Sequence, residues 1–157
     1  MHARLDERIG GQPAGVAGVA PSAGGQCRGV HPSDTLKKAA HAVGAHRIST
    51  RPSTRRVRVE ASGEVLADSV RAVELDESGL PTRWYLPRED VRTDLLTAST
   101  TTSHCPFKGD ATYLSAPGVK DAFWVYDDPS EPDARPLAGM LAPWPGRVDV
   151  FVDDEPV

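Results

Sequence analysis

Cys105 and Lys108 are the residues of this sequence best suited to chemistry. Within seven residues, His104 to Asp110, the chain places a histidine, a cysteine, a lysine and an aspartate, preceded by the hydroxyl run Thr100-Thr101-Thr102-Ser103. A thiol becomes a nucleophile when a nearby cation or helix N-terminus lowers its pKa, and His104 and Lys108 are the cations close to it in sequence. The same cysteine can equally be a small buried side chain in a turn tightened by Pro106. A redox cycle would need a resolving thiol, and the only other cysteine is Cys27. Lys108, beside Gly109, can offer a point charge to a phosphate or carboxylate, or lie on the surface of a β-turn. Asp110 either orients Lys108 or starts a strand. Thr100 to Ser103 can present hydroxyls to a ligand, but such residues more readily bond their own backbone in a loop.

The aromatic residues supply the second half of a candidate site. All nine lie after residue 83. Trp84, Tyr85, Tyr113, Trp124 and Tyr126 can line a pocket with polar rims, a common arrangement for small ligands. Some must fill the core instead, because Trp84 and Tyr85 are neighbours and point to opposite faces of a strand. The expected ligand-binding set is therefore Trp84, Tyr85, Cys105, Lys108, Tyr113, Trp124 and Tyr126, with Cys105 and Lys108 as the catalytic candidates. No phosphate-cradling glycine loop and no paired carboxylate motif for magnesium is present. With one cysteine after residue 55, a structural zinc site has no ligands to build on. No metal and no cofactor are expected.

Short strands are the elements that must position these residues. Arg56 to Glu60 alternates polar and apolar, as a half-buried strand does. Ser62-Gly63 turns the chain into Glu64 to Asp68. Asp76 to Gly79 reads as a polar turn before a strand at Thr82 to Leu86. Pro87, Glu89 and Asp90 open a helix expected over residues 87–96, with Val91 and Leu95 on one face. Asp110 to Ser115 and Ala122 to Tyr126 are strands. In the latter, Phe123 and Val125 share one face and Trp124 and Tyr126 the other. Leu137 to Trp144 is a short helix or strand, and Arg147 to Val152 closes the domain. The pattern is that of a mainly β, barrel-like single domain over residues 56–157 with one or two short helices.

Residues 1–55 differ in kind. They hold no aromatic residue and are rich in Gly, Ala, Pro and Ser. Such a segment cannot bury enough apolar surface to offset the entropy of ordering it, so a disordered basic tail is expected. A marginal helix from Ser33 to Ala45 is the one local exception. The tail carries eight Lys/Arg against three Asp/Glu, and the remainder ten against nineteen, within a net charge of −4. An acidic domain argues against nucleic acid as a partner, because phosphate binding needs clustered cations. No apolar run is long enough for a membrane helix and no signal pattern is evident, so a cytoplasmic protein is expected. The sequence carries no signal of homo-oligomeric state.

Three stretches together resemble a known family. Trp84-Tyr85-Leu86-Pro87-Arg88-Glu89-Asp90-Val91, Thr101 to Tyr113 with its Cys105-Pro106-Phe107-Lys108-Gly109 core, and Ala122-Phe123-Trp124-Val125-Tyr126 are similar to the domain-of-unknown-function 427 family. That small bacterial family is also filed under a nucleotidyltransferase-like label. The resemblance covers about residues 56–155, and Pro143 stands where the family pattern has an aromatic. It implies a β-rich fold similar to the β-tent of methionine-R-sulfoxide reductases and of the ligand domain of cereblon, and it implies no established activity. The expected function is binding of a small metabolite, anionic or heteroaromatic, in the aromatic-lined pocket around the Cys-Pro-Phe-Lys-Gly motif. The alternative is an enzyme that uses Cys105 or Lys108.

Overall fold

Tight two-residue turns set the architecture, and they fall where the sequence can tolerate them. The computed structural model describes residues 46–157. Ser62 and Gly63 both take positive φ, 53° and 78°, the geometry that joins two twisted antiparallel strands with least strain. They connect β2 (Val57–Ala61) to β3 (Glu64–Ser69). Asp153 and Asp154 do the same between β10 (Asp149–Val152) and β11 (Glu155–Pro156). These four strands form one antiparallel sheet in the order β11-β10-β2-β3.

A second sheet has the order β6-β7-β8-β9, from β6 (Thr97–Cys105), β7 (Gly109–Ala116), β8 (Val119–Tyr126) and β9 (Leu141–Pro143). A third joins β1 (Ile48–Pro52), β4 (Val73–Glu77) and β5 (Arg83–Tyr85) in the order β1-β4-β5. The β6–β9 sheet separates two cores. Phe123, Val125 and Leu141 face the valines of β2 and β10, while Trp124, Tyr126 and Ala142 face Leu75 and Tyr85 of the third sheet. The two-residue periodicity of β8 places its side chains as the sequence pattern indicates. The protein is thus a small mainly β domain with short helical turns.

Several elements differ from the sequence reading. Ile48–Pro52 pairs along its full length with Val73–Glu77, so ordered structure begins before residue 56. The expected helix over 87–96 is instead two 3-10 turns, Arg88–Asp90 and Thr93–Leu95. Val91 between them is extended and bridges Ala67, and Arg92 donates its N–H to the Leu66 carbonyl at 2.8 Å. A continuous helix would forfeit this pairing to the edge of β3. The threonine run is a strand rather than a loop, as suits β-branched residues. Leu137 to Trp144 holds both elements: the 3-10 turn Pro132–Leu137 ends there, and β9 follows. The expected tail up to residue 45, its helix and Cys27 lie outside the described residues. Among the described residues no helix is long and apolar enough to cross a membrane.

Candidate functional site

The Cys105 to Gly109 turn joins β6 to β7, with Cys105 opposite Gly109. Gly109 adopts φ +87°, a left-handed conformation that closes a three-residue hairpin loop at little cost for glycine. A Cβ there would also meet the Asp128 carbonyl at 3.4 Å. Ser130 Oγ donates to the Phe107 carbonyl at 3.0 Å, holding the 127–131 loop over the turn. The Lys108 N–H points at Cys105 Sγ, 3.3 Å away, and the thiol is buried.

Lys108 is buried, 1% exposed, not a surface lysine of a turn. Its Nζ donates to Glu77 Oε2 at 2.5 Å and lies 5.7 Å from the centre of the Tyr126 ring. Its charge therefore faces an internal carboxylate. Glu77 ends β4 and is buried, although the sequence places it in a polar turn. His46 Nε2 lies 3.0 Å from the other Glu77 oxygen, and the His46 ring stacks on Phe107 at 3.9 Å. Arg83 shares a β5 face with Tyr85. Burial lowers the pKa of its guanidinium, with Tyr85 and Glu77 opposing that shift.

Around this ionic group the aromatic side chains close up. Trp124 Nε1 donates to Tyr85 Oη at 3.0 Å, and the two rings meet edge to face at 6.1 Å. Burial raises the Tyr85 pKa, an effect the Trp124 hydrogen bond only partly offsets. Trp144 lies edge to face with Trp124 at 5.9 Å and is tilted against Tyr113 at 5.6 Å. Of the seven expected ligand-binding residues, Tyr85, Cys105, Lys108, Tyr113, Trp124 and Tyr126 come together on this side of the β6–β9 sheet. Trp84 does not. It packs against the other core and lines a separate cavity.

The supposed activators of Cys105 take other partners. His104 alternates to the exposed face and bonds Asp110 at 2.6 Å, so Asp110 orients His104 rather than Lys108. In place of these, the structure gathers two hydroxyls of the run noted in sequence, those of Thr101 and Ser103, with Ser99, Asp121 and Arg147, which the sequence reading missed. Ser99, Thr101 and Ser103 are half-buried at alternate positions of β6, on the side of buried Cys105. Ser103 Oγ and Tyr113 Oη share a hydrogen bond of 2.7 Å. Thr101 Oγ1 donates to Asp121 Oδ2 at 2.9 Å, and Arg147 approaches the same oxygen at 3.3 Å while stacking on Trp144 at 4.1 Å. Burial pushes the Asp121 pKa up, but hydrogen bonds from Ser99, Thr101 and Arg147 outweigh it and hold the carboxyl below its ordinary value. Asp121 also takes φ +53°, a conformation uncommon for a residue other than glycine. Its only sequence signal is a carboxylate inside an apolar strand.

Among the described residues no group of three or more His, Cys, Asp or Glu side chains is placed to hold a metal ion. The profile of a family described as a domain of unknown function (DUF427) matches residues 49–154. No curated protein matches the chain.

Proposed function

This chain belongs to the DUF427 family, and we propose that it is a small-molecule-binding domain. Its ligand, a small anionic or heteroaromatic metabolite, enters where the aromatic cluster reaches the surface beside the Cys105-Pro106-Phe107-Lys108-Gly109 turn. The observation that carries this reading is the Lys108–Glu77 ion pair set inside the aromatic cluster. Desolvating two charges is costly, and apolar side chains of similar size would commonly stabilise a core at least as well. A packed core alone does not require the pair. A polar group among aromatic walls is instead the usual design of a ligand site. The half-buried hydroxyls of Ser99, Thr101 and Ser103 supply its polar rim, and Phe107 and Met140, partly buried against the cluster, mark where it approaches the surface.

The test is thermal denaturation of the full chain with a panel of nucleosides, nucleotides and aromatic carboxylates. A true ligand raises Tm in proportion to the logarithm of its concentration, by about 2.7 kcal/mol of stability at a hundred times Kd. Phe107→Ala and Ser103→Ala, both at partly exposed positions, are expected to weaken that response. A panel that shifts nothing, or a hit that both variants leave intact, rejects this site.

A further inference from the structure

A ring of the protein's own already lies at the mouth of the aromatic cluster. The His46 imidazole stacks on Phe107, with ring centres 3.9 Å apart and planes 17° from parallel, and its Nε2 lies 3.0 Å from Glu77 Oε1. We propose that His46 is a built-in occupant of the ligand site, displaced by a flat nitrogen heterocycle with a ring N–H that takes its place between Phe107 and Glu77. This ligand class rests on the binding function proposed for the turn and narrows it.

The cluster is too closely packed to admit a ligand without displacing something. Tyr85, Lys108, Tyr113, Trp124 and Tyr126 are each at most 1% exposed. Phe107 is only half-buried, and His46 covers one face of it. Moving the imidazole away would uncover that ring face and the edge of the Glu77 carboxylate together.

His46 is suited to leaving. Its Nε2 is buried but has no aligned hydrogen-bond partner among the described residues, close as Glu77 is. A buried polar atom in that state costs free energy that a well-aligned N–H to carboxylate bond would recover. His46 also precedes the end strand of its sheet, in which β1 pairs only with β4. Arg47 extends that pairing by one residue: its N–H donates to Ser78 Oγ at 2.9 Å, and its carbonyl accepts from the Ser78 N–H at 3.0 Å. The end of an edge strand opens at low cost compared with the core.

The groups that His46 touches define what replaces it. The Phe107 ring favours a flat ring against it. A carboxylate accepts hydrogen bonds and does not donate them, so the edge of the ligand must donate. Lys108 already supplies the positive charge opposite Glu77, so a neutral heterocycle suffices.

The experiment is an NMR titration of the full ¹⁵N-labelled chain with benzimidazole, and with 1-methylbenzimidazole, which lacks the N–H, in mildly alkaline buffer where both probes are neutral. The amide signals of Phe107, Lys108 and Gly109 report occupancy. Benzimidazole should bind His46→Ala at least about tenfold more tightly than the parent, because no side chain competes for the place. His46→Phe keeps a ring on Phe107 and should stay closed, which separates occlusion from loss of stability. The methylated probe should bind His46→Ala about tenfold more weakly, the worth of one hydrogen bond to a charged acceptor. The proposal is overturned if His46→Ala gains no affinity, if His46→Phe binds as well as His46→Ala, or if the two probes bind alike. Each of these results leaves the wider binding function standing wherever a ligand of the parent is weakened by Phe107→Ala and Ser103→Ala, so the two fail separately.

Discussion

Replacing Lys108 with methionine should be among the most damaging single changes to this domain. The substitution keeps an unbranched side chain of similar length and removes only the charge. The side chains of both partners are at most 3% exposed, so Glu77 would lose its buried ammonium partner, with His46 at its other oxygen. Breaking a buried pair from one side costs about 3–5 kcal/mol. Small domains hold about 5–15 kcal/mol in all, so Lys108→Met should be marginally folded. At about 4–8 °C per kcal/mol for a domain near this size, Tm should fall by at least ~12 °C. Adding Glu77→Leu removes the stranded carboxylate, and the double variant should recover most of the loss. Urea denaturation followed by tryptophan fluorescence gives the four corners of the cycle. If Lys108→Met stays within ~1 kcal/mol of the parent, the pair is not buried as described. If the double variant costs the sum of the singles, the two side chains are not coupled.

Other consequences are separate. In a Cys27→Ala background, Cys105 should resist a thiol reagent until the chain unfolds, because it is only 1% exposed; rapid reaction of the native protein would overturn its packing role. Tyr85→Phe removes the acceptor of the Trp124 N–H and should cost about 1–3 kcal/mol, read by the same denaturation. Gly109→Ala should destabilise by about 1 kcal/mol or more, since alanine does not readily adopt φ +87°. The Asp121 carboxyl titrates lower in the folded state than in the unfolded chain, so its stabilisation is present above the unfolded value near pH 4 and is lost as pH falls through the folded one. Asp121→Asn should flatten the acid limb of the stability profile, and an unchanged acid limb would contradict the hydrogen bonding assigned to it.

What the sequence discloses here depends on how local the signal is. The faces of Trp124 and Tyr126 against Phe123 and Val125, and of Trp84 against Tyr85, follow from strand periodicity and are legible directly. β1 is not, because Ile48-Ser49-Thr50-Arg51-Pro52 lacks apolar alternation and is held by its pairing with β4. The 87–96 segment satisfies helical spacing but is recruited by the edge of β3, a tertiary contact that overrides local preference. Serine and threonine suit both loop back-bonding and strands, so the β6 run is ambiguous in sequence. The burial of Lys108 rests on Glu77, thirty-one residues away, and no spacing rule reveals it. The same holds for the meeting of Asp121 with Thr101 and Arg147.

Native mass spectrometry of the full chain, purified quickly and then incubated with the small-molecule extract of the cells it was made in, tests the binding account most directly. The account predicts one stoichiometric added mass that Phe107→Ala and Ser103→Ala reduce. A bare polypeptide mass under every condition, or an adduct that both variants retain in full, would contradict a ligand at the Cys105–Gly109 turn.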